Sequence, residues 1–225
     1  MRLFDELKKR ENKEKAIGVQ RFFKEEVKSL GIYVPIIRKT VTNYMKSNSV
    51  NLEEEFYLLW NKNFLESRFA AIFLLGSSKL KNTLKLKIFL SVLKDKNLNW
   101  AYVDFISSYI GKMILSDITI LKKLKKLTTG NNWEKRVSIV SLIMPMRKNV
   151  VTVDFVLKMI EHNIYSDWEY LHKASGWVLR ECYKKDKIKT TNFLKNKKNI
   201  PRICFSYACE KMNKQEKDLL KLQVY

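Results

Sequence analysis

The chain has 225 residues, 46% of them apolar, and its 44 lysines and arginines against 23 acidic residues give a formal net charge of +21. This apolar share supports a folded core and argues against global disorder. No apolar run approaches the roughly 18 residues of a membrane helix, the first residues lack the apolar core of a signal peptide, and the three cysteines form no CxxC pair. We therefore expect a cytoplasmic protein with no membrane, metal or cofactor requirement.

The positive charge indicates a partner rich in phosphate. A sequence pI near 9.8 is typical of proteins that bind the nucleic-acid backbone. The charge has two alternative origins, because an A·T-rich genome also enriches lysine and asparagine, and basic proteins also bind membranes or acidic partners.

The chain contains six glycines and three prolines, and the segments between them mix leucine, isoleucine, lysine and glutamate at helical spacing. We expect one or two amphipathic helices over Met1–Leu30, with Phe22 and Phe23 on their apolar stripe. Gly31 ends this run, and the residues before Pro35 are extended because a residue preceding proline avoids the helical region. Ile36–Met45 is then predicted to be helical, with Arg38 and Lys39 in its first half.

From this point the chain repeats itself at about 32 to 37 residues, a period typical of helix-pair repeats. Similar segments place one polar residue each in an aligned column: Arg68, Asp104, Arg136, Lys173 and Ser206. Partner helices are predicted between them, at Leu52–Trp60, Leu84–Leu93, Ile118–Leu127, Val153–Ile160 and Ile188–Leu194, and Lys214–Tyr225 is predicted to be a closing helix. Such repeats stack into an α-solenoid in which equivalent positions line one surface. The column would then form a cationic groove containing a single carboxylate, unless these residues make ordinary contacts between helices.

Trp100 and Asp104 stand four positions apart, so on a helix they lie side by side on one face. The simplest interpretation is a packed aromatic residue and an acid that interacts favourably with the helix N-terminus. The rest of the sequence favours a chemical role instead.

Several motifs, taken in order, resemble those of the DNA alkylation repair enzymes of the helical-repeat alkylpurine glycosylase family. The resemblance covers roughly residues 15 to 213, and residues 173–181, Lys-Ala-Ser-Gly-Trp-Val-Leu-Arg-Glu, contribute most to it. The other matching segments are Tyr33–Lys39, Glu66–Arg68, Asn99–Trp100 with Asp104 and Gly111, and Trp133 with Arg136. Ser206, where related sequences often carry arginine, and His172 depart from the family pattern and put the C-terminal groove contacts in question.

The resemblance implies an all-α fold: a right-handed α-solenoid of HEAT-like helix-pair repeats with a concave basic groove, formed by residues 1–225 as a single domain. It implies that the protein binds duplex DNA containing alkylated purines as a monomer and excises purines alkylated at N3 or N7. By the same resemblance Asp104 is the catalytic carboxylate, Trp100 and Trp177 pack against the deoxyribose, and Arg136 contacts the backbone near the lesion. The other expected phosphate contacts are Arg38, Lys39, Arg68, Lys173 and Arg180. Trp60, Trp133 and Trp168 are predicted to be packing residues.

The chemistry requires the same residue types. Breaking an N-glycosidic bond builds positive charge on the sugar, which an ionised aspartate and indole faces stabilise. An alkylpurine cation is already a good leaving group, so no strong general acid is needed. Three alternatives remain: a helical-repeat module that binds damaged or branched DNA without catalysis, a protein-interaction scaffold, and a lyase that uses Lys173 as a nucleophile.

Overall fold

The computed structural model describes residues 2–47 and 50–225. These residues form helices and connecting segments, with no β-strand among them. The chain divides into two compact units, Met1–Ile106 (unit 1) and Ser107–Tyr225 (unit 2), and the division falls within helix α7. The prediction that residues 1–225 form a single domain stays a prediction.

The helices begin and end close to the predicted residues. Those of unit 1 are α1 Leu3–Lys8, α2 Lys13–Val19, α3 Val34–Ser47, α4 Leu52–Trp60, α5 Leu65–Ser77, α6 Asn82–Ser91 and the start of α7 Trp100–Ser116. Those of unit 2 are the rest of α7, α8 Leu121–Leu127, α9 Asn132–Val140, α10 Ile143–Arg147, α11 Val153–Glu161, α12 Glu169–Lys185, α13 Lys187–Lys195, α14 Arg202–Ala208 and α15 Lys214–Val224. Short 3₁₀ turns at Gln20–Phe22, Val92–Lys94 and Ile118–Ile120 adjoin α2, α6 and α8.

Many helix starts are set by a polar side chain that accepts a hydrogen bond from the first turn. The side chain of Asn51 accepts from Glu54, that of Asn131 from Glu134, and that of Asn213 from Glu216. In the last two cases the glutamate also accepts from the backbone N–H of the asparagine, which completes a capping box. Asp186 separates α12 from α13, because its extended backbone ends one helix while its carboxylate caps the next.

Unit 1 is built around α5. Every residue from Leu65 to Leu75 is buried, and α1, α3, α4 and α6 all contact this helix. A helix buried on all sides must satisfy its polar residues internally, and Glu66 does so by accepting hydrogen bonds from the Ser29 hydroxyl at 2.6 Å and the Leu30 backbone N–H at 2.7 Å. Glu66 accepts a third hydrogen bond from the backbone N–H of Ile32 at 3.2 Å, so these bonds hold the extended segment 29–32 against α5.

The conformation of that segment differs from the prediction that residues 1–30 form one or two helices. Helix α2 and its 3₁₀ turn end at Phe22, and residues 23–33 are not helical. The side-chain amide of Gln20 donates to the carbonyls of Phe23 at 3.2 Å and Glu25 at 2.8 Å, and its oxygen accepts from the N–H of Val27 at 2.9 Å. These bonds replace the helical ones, because one side chain satisfies three backbone groups that a helix would pair along its axis.

In unit 2, α12 has the central position and contacts α9, α10, α11, α13 and α14. Its contact with α14 is close because residue 176 is glycine. A Cβ atom built at Gly176 would lie 2.5 Å from the carbonyl oxygen of Cys204 and 2.5 Å from the Cβ of Tyr207. The glycine therefore lets the two helix backbones approach beside Trp177.

Candidate DNA-binding and catalytic site

Trp100 and Asp104 lie on the first turns of α7. The buried side chain of Asn99 precedes the helix, and its oxygen accepts hydrogen bonds from the N–H groups of Ala101 at 3.0 Å and Tyr102 at 3.2 Å. Both Trp100 and Asp104 are partly exposed. Their four-residue spacing puts the indole and the carboxylate on the same face of the helix, as predicted.

The N-terminal segment holds the Trp100 indole in place. The ring of Phe23 stacks on it, with centroids 5.6 Å apart and planes 22° apart. The indole Nε1–H donates to the carbonyl oxygen of Phe22 at 3.3 Å. One face and the polar edge of the indole are therefore engaged within unit 1, and these two contacts fix the orientation of the ring.

Arg38 lies above aromatic rings next to this helix. Its guanidinium carbon is 3.8 Å from the centroid of Phe73 on α5 and 5.4 Å from that of Phe105, the residue that follows Asp104. Both Arg38 and its neighbour Lys39 are exposed. Stacking on a ring holds a guanidinium in one orientation, so Arg38 offers a positioned cation at the surface that carries Asp104.

Arg68, predicted to line the groove, is buried instead, with 3% of its surface exposed. It donates to the carbonyls of Trp60 at 3.1 Å and Asn97 at 2.6 Å, and it forms an ion pair of 2.8 Å with Asp95. Its guanidinium also lies 4.7 Å from the Trp60 ring. A phosphate contact would require breaking these bonds, which join α5 to the segment before α7. The contact of Arg68 with DNA stays a prediction.

Arg136 occupies the equivalent place in unit 2. It is 5% exposed and donates a hydrogen bond to the carbonyl oxygen of Tyr170 at the start of α12. Since both arginines of the repeat column bind a carbonyl about one repeat further along the chain, their shared position indicates a link between repeats. Arg136 is thus buried where an exposed position was expected, and its contact with the DNA backbone stays a prediction.

Helix α12 carries three of the predicted site residues on one face, because Lys173, Trp177 and Arg180 are four and three positions apart. Lys173 forms an ion pair of 2.6 Å with Glu169, and Arg180 pairs with Glu210. Trp177 is partly exposed between them.

The carboxylates around this helix are held by cations. Buried Glu181 accepts from Arg147 at 2.6 Å and Lys184 at 2.8 Å. Burial alone would raise the pKa of Glu181, but the hydrogen bonds from Lys184 and Arg147 outweigh it and the pKa is lowered. Glu181 is thus an ionised anchor for surface cations.

Known proteins resemble this chain over most of its length. The family model described as DNA alkylation repair enzyme matches residues 3–212. This chain belongs to that family. Among solved structures, a predicted DNA alkylation repair enzyme from Enterococcus faecalis matches with 19% identity and a TM-score of 0.77, over 91% of this chain and 97% of that one. No curated protein gives a significant match.

The likeness to the Enterococcus structure confirms the prediction of an all-α, solenoid-type fold. Family membership makes DNA repair the role of the chain and DNA its partner. Within the residues that the structure describes, no helix is both long and apolar enough to span a membrane, and no group of three or more His, Cys, Asp and Glu side chains is placed to hold a metal ion.

The remaining predicted residues divide between packing and exposed positions. Trp60 is buried, and its indole donates to Asp95 at 2.7 Å, which confirms it as a packing residue. Trp133 and Trp168 pack on each other but stay partly exposed. Lys173 is one third exposed and ion-paired, which does not fit a desolvated lyase nucleophile in this family member.

Two features of the site were not found from the sequence. The position of Phe23 against Trp100 depends on contacts 77 residues apart, so no local pattern reveals it. The stack of Arg38 on Phe73 likewise joins α3 to α5. No local signal reveals the first of these contacts, because Phe22, Phe23 and Val27 are also spaced as on the apolar stripe of a helix.

Proposed function

We propose that this chain is a DNA glycosylase that hydrolyses the N-glycosidic bond of purines alkylated at N3 or N7 in duplex DNA. The observation that carries the proposal is the Trp100–Asp104 pair: an indole of fixed orientation and a partly exposed carboxylate on one helix face, in a chain of the DNA alkylation repair family.

The role of Asp104 follows from the charge that develops during the reaction. As the bond to the cationic purine lengthens, the base becomes neutral and positive charge moves to the deoxyribose. A carboxylate beside the sugar is attracted more strongly to this transition state than to the ground state, which lowers the barrier. The same carboxylate accepts a hydrogen bond from a water that attacks the anomeric carbon. The products are the free base and an abasic site.

Trp100 supplies a second stabilising contact. The negative face of an indole attracts a cationic sugar, and Phe23 holds the ring so that little side-chain entropy is lost on binding. For Trp177 and Arg136 of unit 2 we propose the roles that the resemblance implies, contact with the deoxyribose and with the backbone near the lesion. Since Arg136 is bonded to the Tyr170 carbonyl, Arg38 and Lys39 are the better supported phosphate contacts.

The test is release of free base from duplex DNA containing N7-methylguanine or N3-methyladenine, with DNA binding measured in parallel. Asp104→Asn keeps the size of the side chain and removes its charge, so we expect release to slow by about 100-fold to 1,000-fold, the range for losing one electrostatic contact in a transition state. Asp5→Asn is the matched control, because it makes the same change on an exposed position of α1.

The possible outcomes distinguish the glycosylase from its two alternatives. Release by the wild type and by Asp5→Asn, with Asp104→Asn slow but still bound to DNA, supports the proposal. Salt-sensitive binding with no release of either base by the wild type would leave the alternative, a module that binds damaged or branched DNA without catalysis. A lack of any DNA binding would favour a protein-interaction scaffold.

A further inference from the structure

Unit 2 contains a cavity of about 540 Å³ next to the Trp133–Trp168 pair, which we call the Trp168 cavity. Its size lies within the range of small-ligand pockets in proteins. Residues that line it include Asn132, Lys135, His162, Tyr165, Asp167 and Trp168. None of them belongs to the catalytic residues proposed above.

Aromatic packing fixes one wall of the Trp168 cavity. The Trp168 ring meets Trp133 edge to face, with centroids 4.5 Å apart and planes at 89°, and it meets Tyr170 at 5.3 Å and 68°. Edge contacts of this kind orient a ring while leaving part of its surface exposed. Tyr165 is 51% exposed, and its hydroxyl donates to the carbonyl oxygen of Lys198 at 2.9 Å, so this second ring is also held in place.

The loop that joins α11 to α12 is already ordered around the cavity. The side-chain amide of Asn163 donates to the carbonyl oxygen of Thr128 at 2.8 Å, and the N–H of Ser166 donates to the carbonyl oxygen of Asn163 at 3.1 Å. The His172 ring nitrogen Nε2 is hydrogen-bonded to the Ser166 carbonyl oxygen. Binding of a ligand would thus cost little entropy in organising the walls.

The polar groups of the cavity suit the edge of a nucleobase. Asn132 and Lys135 offer donors, Asp167 offers an acceptor, and a second carboxylate, Glu161, is neutralised by its ion pair with Lys197. These groups share the cavity with the two aromatic rings. A nucleobase presents the same combination, a π face and an edge that carries both donors and acceptors. A flat aromatic surface with mixed polar partners is poorly suited to a phosphate alone or to an aliphatic chain.

The surroundings favour a base that belongs to a DNA strand. Tyr170 stacks on Trp133 at 5.8 Å, which extends the aromatic cluster. Lys135 lines the cavity, and Lys198, whose carbonyl oxygen accepts from Tyr165, is an exposed residue. Lysines therefore adjoin the aromatic cluster, as in sites that bind bases and their phosphates together.

We propose that the Trp168 cavity binds one unpaired nucleobase of DNA, stacked against Trp168 and Tyr165. The inference rests on the DNA-binding part of the proposed function and is independent of catalysis by Asp104. It predicts that unit 2 gives the protein a preference for duplexes that contain an extrahelical nucleotide, even when no base is alkylated.

The test compares the affinities of the full chain for two unmodified duplexes of the same sequence, one fully paired and one with a single unpaired 2-aminopurine. Stacking on an aromatic side chain strengthens binding by roughly fivefold or more per base. We therefore expect the wild type to bind the bulged duplex at least about fivefold more tightly and to quench the 2-aminopurine fluorescence. Adenosine monophosphate, added as a competitor, distinguishes a site for free nucleotides from a site for a base within a strand.

Variants test whether the preference for the bulged duplex depends on the Trp168 cavity. Trp168→Leu should abolish the preference and leave affinity for the paired duplex unchanged. Should this change unfold the chain because Trp168 also packs on Trp133, Tyr165→Leu tests the more exposed ring and should reduce the preference, while Tyr165→Phe keeps the ring and should retain it. Lys135→Gln removes a cation from the cavity and should reduce the preference, and Lys126→Gln, on an exposed face of α8, is its control.

Equal affinity of the wild type for both duplexes would overturn the proposal, as would a preference that survives both ring deletions. Tight binding of adenosine monophosphate with no preference for the bulge would also overturn it. Because the DNA carries no lesion, a failure here leaves the base-release test untouched, and a failure of base release leaves this comparison informative.

Discussion

The close approach of α12 and α14 in unit 2 depends on a single missing methyl group, and Gly176→Ala tests it. The added Cβ would lie 2.5 Å from the Cys204 carbonyl oxygen and 2.5 Å from the Tyr207 Cβ, whereas ordinary contacts begin at 3.4 Å. Both neighbours belong to α14, and neither is the end of a flexible side chain. The helix α14 must therefore move by about 1 Å, or α12 must bend.

The magnitude follows from two opposing terms. Overpacking of this kind costs about 1–3 kcal/mol, and a rigid backbone neighbour puts the cost at the upper end. Alanine is a better helix former than glycine by about 1 kcal/mol. We expect Gly176→Ala to lower the free energy of unfolding by about 2 kcal/mol, measured as a lower urea midpoint with an unchanged slope.

Gly18→Ala is the matched control, since this glycine also lies in a helix and a Cβ there would meet nothing within 4 Å. It should be stabilising by up to about 1 kcal/mol. If Gly176→Ala were as stable as Gly18→Ala, the close approach of α12 and α14 would be incorrect.

Two further predictions concern buried groups. Arg68→Ala should destabilise the protein by about 3 kcal/mol, because the Asp95 carboxylate loses its ion pair and the carbonyls of Trp60 and Asn97 lose a donor. It should leave the salt dependence of DNA binding unchanged, whereas Lys39→Ala should lower that salt slope by about 1. A reduced slope for Arg68→Ala would show that this residue reaches phosphate after all. Burial raises the pKa of all three cysteine thiols to about 12, so we expect Ellman's reagent to label none in the native protein at pH 8 and all in urea. Because the folded pKa of these thiols exceeds the unfolded one, their contribution to the free energy of unfolding is complete below about pH 9 and is lost as the pH rises toward 12. Rapid labelling of the native protein would contradict the burial of the cysteines.

The helices were largely predictable because their signals are local. Helix α4 begins and ends at the predicted residues, Leu52–Trp60, where Asn51 caps the start. Helix α11 extends one residue past the predicted end at Ile160. In each case an apolar stripe of period 3.6 directly follows a capping side chain, and both are readable within about ten residues.

The N-terminal segment was mispredicted because distant residues decide its conformation. Phe22, Phe23 and Val27 are spaced as on an apolar helix stripe, yet the Gln20 side chain and the Glu66 carboxylate, 36 residues from Leu30, bind the backbone after Phe22. Gly31, with φ of +68°, then lets the chain pass close to the Asn12 carbonyl. These contacts have no local signature.

The repeat period predicted equivalent positions for Arg68 and Arg136 but did not indicate that both side chains are buried. Periodicity fixes the spacing of equivalent positions, whereas exposure depends on how many neighbours cover the helix. Helix α5 is covered on all sides, so an arginine there must find its partners inside. For the candidate site, the Trp100–Asp104 juxtaposition was predictable from spacing alone, and the stack of Phe23 on Trp100 was not.

The positive surface of this protein is formed mainly by lysine rather than arginine. Only nine of the 44 basic residues are arginines, of which Arg68 and Arg136 are buried and Arg147 and Arg180 are paired with glutamates. Lysines therefore present most of the positive charge to the solvent. Lysine ammonium groups are hydrated point charges that hold a phosphate without fixing its geometry. Such a surface exchanges one phosphate for the next at little cost, so we expect the protein to move readily along undamaged DNA.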